Sequence, residues 1–251
     1  MATLVCLHAH PDDEAISTGG TISRAAAEGH RVVLVVATNG DHGEVPADLG
    51  DGESLVDRRR AETMAAADHL GIARVAWLGY SDSGMTGWHQ NDHDHSLHQA
   101  PVEEAAEKLA AILRQEDADV LTSYDWHGTY GHPDHVKVHL VGARAADLAG
   151  VRLLEATMNR DAMHRLVDVA REEGVDFGST DDEDFDPSAP ADDGNPFGEP
   201  EEVISLEVDV TEFVARKKAA LACHASQVSD SDFFVNMADE AFARAFGTEW
   251  F

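Results

Sequence analysis

Apolar residues along this chain come in short runs separated by longer stretches of mixed polarity. Residues 2–7 form the first run, which stops at His8. Residues 31–37 form the second; Val32, Val33, Leu34, Val35 and Val36 are continuous enough to predict a strand buried on both faces. Shorter runs at 74–78, 119–124 and 151–156 predict three more strands, and 203–208 a late one. Between them the spacing predicts helices over 19–28, opened by Gly19-Gly20, and over 55–70, closed by Gly71 as a cap. Further helices are predicted over 101–114 with Pro101 in the first turn, 133–148, 159–173 and 210–224, with a short one near 238–245. Residues 79–100 read as loop. Strands alternating with helices imply parallel βαβ units. The predicted fold is α/β: a Rossmann-like, doubly wound, mostly parallel sheet with helices on both faces. No repeat or linker interrupts it, so one domain over 1–251 is expected.

Composition narrows the classes of partner. Hydrophobic residues make up 43% of the 251, enough for a sizeable core. Acids number 48 against 18 Lys plus Arg, a formal charge of −30. That field repels phosphate backbones and anionic headgroups, so neither nucleic acid nor membrane is expected as a partner. Residues 172–202 contain no Lys or Arg and many acids, which predicts a solvated loop. The two cysteines, Cys6 and Cys223, give no disulfide framework and no cysteine zinc site. The first apolar run lacks a basic flank and is too short for a signal peptide or a membrane span. A soluble, cytoplasmic protein is expected, and a homo-oligomer stays open.

The chemistry lies where the strands end. In open α/β sheets ligands bind beyond the carboxyl ends of the strands. No glycine-rich dinucleotide fingerprint follows the first strand; His8, His10, Asp12, Asp13 and Glu14 stand there instead. The second strand leads to Asn39, Asp41 and His42, the third to Asp82, Ser83 and Gly84, and the fourth to Tyr130, His132, Asp134 and His135. His10 and Asp13, three apart on a turning segment, can converge on one ion. A catalytic zinc takes about three protein ligands and leaves a position for water. The third ligand is His132 or His135, also three apart around Pro133-Asp134. Asp12 is then free to accept a proton, and the other histidine to meet a developing oxyanion.

His10-Pro-Asp-Asp-Glu14 together with Gly131-His-Pro-Asp-His135 closely resembles the PIG-L/LmbE-like family of zinc-dependent N-deacetylases. That family includes N-acetylglucosaminyl-phosphatidylinositol de-N-acetylases, the mycothiol-pathway deacetylase and mycothiol S-conjugate amidase. The likeness takes in the Thr38-Asn-Gly turn, Arg59 with Glu62, Asp82 to Met85, and Lys217 to Gln227. The 172–202 and 89–98 segments are the least family-like.

The resemblance implies a role for each residue. His10, Asp13 and His135 are the metal ligands, with water completing the site. Asp12 is the general base. His132 stabilises the tetrahedral intermediate as an imidazolium held by Asp134, and Tyr130 approaches the same oxyanion. Arg59 and Asp82 grip the sugar or polyol. The implied substrate is a small N-acylated amino sugar or conjugate, from which the acyl group, most often acetyl, is removed by metal-activated water. The implied metal is Zn²⁺, although a His₂Asp set also takes Fe²⁺ or Co²⁺.

Plainer readings stand beside these. Asp82 could cap a turn with Ser83-Gly84, and Arg59 could pair with Glu62 along its helix. Glu14 could orient a ligand or simply start a helix. His89, His93, His95 and His98 read as solvated loop against a second metal site. His139 and His224 carry no role legible in sequence, and Cys6 reads as core. Two other functions fit the same residues: a mycothiol S-conjugate-type amidase, and a non-catalytic metal- or sugar-binding module. The presence of both Asp12 and His132 argues against the last, since binding alone needs neither.

Overall fold

The structure, a computed structural model, describes residues 1–173, 186–227 and 235–251. Its centre is a five-stranded sheet in the order β3-β2-β1-β4-β5, parallel throughout. The strands are β1 (Thr3–His8), β2 (Arg31–Thr38), β3 (Arg74–Tyr80), β4 (Val120–Tyr124) and β5 (Arg152–Ala156). All five strands predicted up to residue 156 are present.

The two faces of the sheet carry separate cores. Along β1 and β2, Val5, Leu7, Val33 and Val35 point to one face, where α4 (Val102–Gln115) and α5 (Pro133–Ala149) cover them with Leu109, Leu113, Val138 and Val141. Cys6 and Val32 point to the other. There α2 (Gly19–Ala27), α3 (Leu55–Leu70), α7 (Val214–Cys223) and α8 (Asp239–Phe246) bury Ile22, Leu70, Leu221 and Phe242. This two-sided burial is why the apolar runs in β1 and β2 are continuous rather than alternating. A short α1 (Asp13–Ser17) precedes α2, and α6 (Arg160–Glu173) follows β5.

Local signals set the helix ends. Gly71 and Gly150 close α3 and α5 in the left-handed conformation, at φ 80° and 69°, donating to Ala67 O and Ala146 O. Pro133 stands in the first turn of α5, and the His132 side chain caps that turn by accepting the Asp134 N–H at 3.1 Å.

The predicted late strand over 203–208 needs correction. Residues Glu201–Val203 form a 3-10 turn, and only Glu207–Asp209 (β6) is extended. β6 joins no central strand; it pairs antiparallel with β7 (Thr248–Trp250) near the C-terminus. The predicted 210–224 helix opens as a 3-10 turn, Thr211–Phe213, before α7. The acidic segment also differs from expectation where it is described. Residues 174–185 lie outside the described residues, but 186–202 dock on the loop after β4 rather than standing free in solvent. Asp192 N–H donates to Tyr130 O at 3.0 Å and Gly198 N–H to Thr129 O at 2.7 Å. Among the described residues, no helix is long and apolar enough to cross a membrane.

Candidate active site

The chain leaves β1 and β4 toward opposite sides of the sheet, so a crevice opens between their carboxyl ends. Three segments that follow strands and the first turn of α5 deliver side chains into it. The segment after β1 supplies His10, Asp12 and Asp13; the one after β3 supplies Asp82 and Ser83; the one after β4 supplies Tyr130 and His132; α5 supplies Asp134 and His135.

Asp13 sits between two imidazoles. Its Oδ2 is 3.4 Å from His10 Nδ1 and 3.4 Å from His135 Nε2, and it accepts the His10 backbone N–H at 2.8 Å. His10 turns its other nitrogen away: Nε2 lies 3.1 Å from Asp134 Oδ2 and 3.6 Å from Asp82 Oδ1. Asp134 is itself held by Ser83, which donates its N–H at 2.8 Å to Oδ2 and its hydroxyl to Oδ1. The ring of His135 stacks on Tyr124 with centroids 4.5 Å apart and planes 13° apart. Tyr124 is fixed in turn through its hydroxyl, 2.9 Å from His8 Nδ1.

The arrangement calls for a cation. Ligand atoms of His10, His132 and His135 lie within 4.8 Å of one another. Asp82, Asp13 and Asp134 surround His10 and hold its pKa well above the ordinary value although burial opposes the charge. His135 and His10 hold Asp13 well below the carboxylate range despite its burial. Two buried carboxylates, Asp82 and Asp134, with the partly buried Asp13, focused on one imidazole are costly without positive charge among them. A divalent ion facing His10 Nδ1, Asp13 and His135 would meet a His₂Asp set, with Asp134 orienting His10 from behind.

Asp12 stands apart from its neighbour. It is a non-glycine residue at φ 110°, ψ −32°, a conformation that costs about 1–3 kcal/mol and persists only where surroundings enforce it. In it the two adjacent carboxylates diverge: Asp13 meets His10 and His135, whereas Asp12 Oδ2 meets Arg59 Nη2 at 3.0 Å. Burial pushes Asp12 up to about 6; Arg59 pulls the other way, and the Asp13 charge adds to the rise.

His132 departs from one expectation. Its Nδ1 accepts the Asp134 N–H, while the Asp134 carboxylate is committed to His10 and Ser83. Burial, together with His10 and His135, pushes the imidazole down to about 2. Asp134 therefore steadies His132 through its backbone N–H and not through its carboxylate, which leaves Nε2 as the outward-facing donor of the ring. Tyr130 places its hydroxyl 3.4 Å from His135 Nε2, and burial with the Asp13 charge raises its pKa, so it stays protonated.

Arg59 is only 3% exposed, and its guanidinium donates to Pro11 O at 2.6 Å and Gly40 O at 2.8 Å besides Asp12. It makes no pair with Glu62, which instead accepts from Ser226 N–H and Oγ at 2.8 and 2.6 Å. Asp82 is buried and caps its turn, accepting the Gly84 N–H at 2.8 Å. His89, His93, His95 and His98 are all exposed, and none belongs to a metal-competent group among the described residues. His139 pairs with Glu155 at 2.7 Å, on the β5 side. Cys6 is core, its thiol pushed up to about 12 by burial. Sequence reasoning missed Tyr124, which no motif marks, and gave Ser83 no role of its own.

A cavity of about 480 Å³ opens beside the ligand set. Asp13, Tyr130 and His135 form its inner wall, and Met158, Met163, Leu166, Phe197, Phe246 and Trp250 are among its apolar lining.

The parallel sheet and the His/Asp cluster at its switch point are those of a deacetylase, and the chain belongs to the GlcNAc-PI de-N-acetylase (PIG-L) family, whose pattern matches residues 5–146. Its relatives are more specific. The chain is 37% identical over 262 residues to a 1D-myo-inositol 2-acetamido-2-deoxy-α-D-glucopyranoside deacetylase of Acidothermus cellulolyticus, covering 99% of this chain and 87% of that one. It is 40% identical over 238 residues to the enzyme of that name from Nocardiopsis dassonvillei, covering 89% and 83%. The fold matches N,N'-diacetylchitobiose deacetylase from Pyrococcus horikoshii with a TM-score of 0.61 at 21% identity, covering 99% of this chain and 83% of that one. It also matches the A40926 pseudoaglycone deacetylase at 0.62 and 20%, covering 99% and 96%.

Proposed function

We propose that this protein is a zinc-dependent N-deacetylase that acts on a 2-acetamido sugar joined to a polyol, the substrate type its curated relatives are named for. The observation that carries the reading is the split of two adjacent carboxylates: Asp13 between His10 and His135, Asp12 outside that set. A divalent ion held by His10, Asp13 and His135 supplies Lewis acidity for the amide carbonyl and lowers the pKa of water. Iron(II) or cobalt(II) would suit the same donors.

The chain's own groups do the rest. Asp12, raised toward neutrality, accepts the proton of the attacking water. His132 presents Nε2–H to the oxyanion, its ring direction fixed by the bond from Asp134 N–H to Nδ1. The Tyr130 hydroxyl, its pKa raised by burial, is a second donor there. The proton held by Asp12 then goes to the departing amine. Asp82 borders the polyol side. Arg59, with both terminal guanidinium nitrogens committed, serves the site through Asp12. The two free thiols and a small polar substrate fit a cytoplasmic setting.

The test is release of free amine from N-acetylglucosaminyl-inositol by the zinc-loaded protein, with N-acetylglucosamine and chitobiose acetates as competitors. One observation favours a second activity at the same residues, that of an S-conjugate amidase. The apolar cavity starts at Asp13 and His135 and suits a thioether substituent better than a second sugar. Met163→Asp should lower kcat/KM for an aromatic thioether amide more than for the plain acetamide. Equal losses for both substrates would remove that reading.

A further inference from the structure

Residues 217–227 lie far along the chain from every site residue, yet part of this stretch reaches the base. His224, at the end of α7, is 1% exposed, and its Nε2 lies 2.7 Å from Glu14 Oε1. Glu14 has no exposed surface. Its second oxygen, Oε2, accepts the backbone N–H of Asp12 at 3.0 Å. The far side of Asp12 is gripped by Arg59, which donates from one nitrogen to both Pro11 O and Asp12 Oδ2 and from the other to Gly40 O. Glu62 ties down the turn after His224 through Ser226 N–H and Oγ. Arg59 and Glu62 both belong to α3, so one helix braces both sides of Asp12.

We infer that His224 and Glu14 are positioning residues for the catalytic base, holding the Asp12 backbone in its left-handed conformation against Arg59. This rests on the reading of Asp12 as the base. A φ of 110° at a non-glycine residue must be imposed from outside. Glu14 imposes it through the amide and Arg59 through the carbonyl before it and the carboxylate after it. If the amide were released, Asp12 would relax to an ordinary φ. Its carboxylate would then turn from the Arg59 side toward Asp13, and the separation of base from ligand would be lost. Glu14 alone could rotate; the buried imidazole of His224 removes that freedom. The pair contacts neither His10 nor His135, so its loss should spare the metal.

The test uses the full-length zinc-loaded protein and the variants His224→Gln, His224→Ala and Glu14→Gln. Two readouts are taken: steady-state kinetics, and the amide ¹H–¹⁵N signal and hydrogen exchange of Asp12. His224→Ala and Glu14→Gln should keep about one zinc per chain and KM within twofold, while kcat falls roughly 10- to 100-fold, the scale of a small misplacement of a reacting group. The Asp12 amide proton should move upfield and lose protection. His224→Gln, which can still donate to Glu14, should recover a large part of both. An unchanged Asp12 amide signal with kcat within twofold in folded His224→Ala and Glu14→Gln overturns the inference, as does a loss confined to KM or to zinc. Asp12→Asn separates the two layers. If it stays fully active the base assignment fails, whereas the amide signal still reports whether the clamp exists.

Discussion

Asp12 and Asp13 share a peptide bond and almost nothing else. One faces an arginine and is pushed up toward neutrality; the other faces two imidazoles and is held down. Asp12→Asn should therefore keep zinc but lose about 10²–10⁴ in turnover, the usual worth of a positioned general base. Asp13→Asn should lose zinc first, with part of its activity returning at high zinc. Elemental analysis beside kinetics decides this, and a metal-free Asp12→Asn would swap the two roles. The paired motifs around these aspartates were legible in sequence because their spacing is local: three residues bring His10 to Asp13 and His132 to His135. The direction of each side chain was not. That Asp134 serves His10 with its carboxylate and His132 with its amide follows from the first turn of α5, where one residue meets both. Tyr124 went unseen because it ends a strand among ordinary core residues and meets the ligand set by stacking on His135.

At the level of elements, apolar runs buried on both faces were readable without partners, and β1 to β5 emerged near their predicted bounds. β6 was misplaced because a three-residue ladder has no period to detect, and its partner β7 lies some forty residues further on. The same distance hides what closes that end of the molecule. Glu249 of β7 is buried against Lys217 of α7 at 2.7 Å and also accepts Gly20 and Thr21 N–H at 2.8 and 2.7 Å, at the first turn of α2. A Cβ on Gly20 would run into Val210, so only glycine admits this approach. Lys217→Met leaves a buried carboxylate without its cation and should cost about 3–5 kcal/mol in denaturant unfolding. The double variant Lys217→Met/Glu249→Gln should recover much of that loss. An additive double variant would mean that the pair does not couple these elements.

Glu116 joins elements in another way, accepting from Arg31 at the start of β2 at 2.8 Å and from Arg74 at the start of β3. Burial works against its charge, but the two arginines together hold its carboxyl below the usual range. A depressed carboxyl contributes stability above its unfolded value and loses it as pH falls through the folded one. Glu116→Gln should thus lower the melting temperature near neutral pH. The gap to the parent should close as pH is taken below 4.5, the ordinary value for glutamate. A gap that widens on acidification would contradict the pairing.

Over the whole molecule the charge of −30 dominates. Most acids among the described residues are exposed, and like charges at that density oppose the compact state. Raising NaCl shortens the screening length from ~10 Å at 0.1 M to ~3 Å at 1 M. The melting temperature should rise over that range, by differential scanning calorimetry at fixed pH; a fall would place net stabilisation in the surface ion pairs instead. Within this field three carboxylates, two of them buried, converge on His10, and the adjacent aspartates split, an arrangement suited to a cation. The most direct measurement is the yield of primary amine and acetate from 1D-myo-inositol 2-acetamido-2-deoxy-α-D-glucopyranoside, using protein loaded with one equivalent of zinc, then stripped by chelator, then reloaded. Amine and acetate should appear in equal amounts, be lost on stripping and return on reloading. Protein that holds one ion per chain yet releases no amine from this or any other N-acetylated amino sugar would contradict the proposed deacetylase activity.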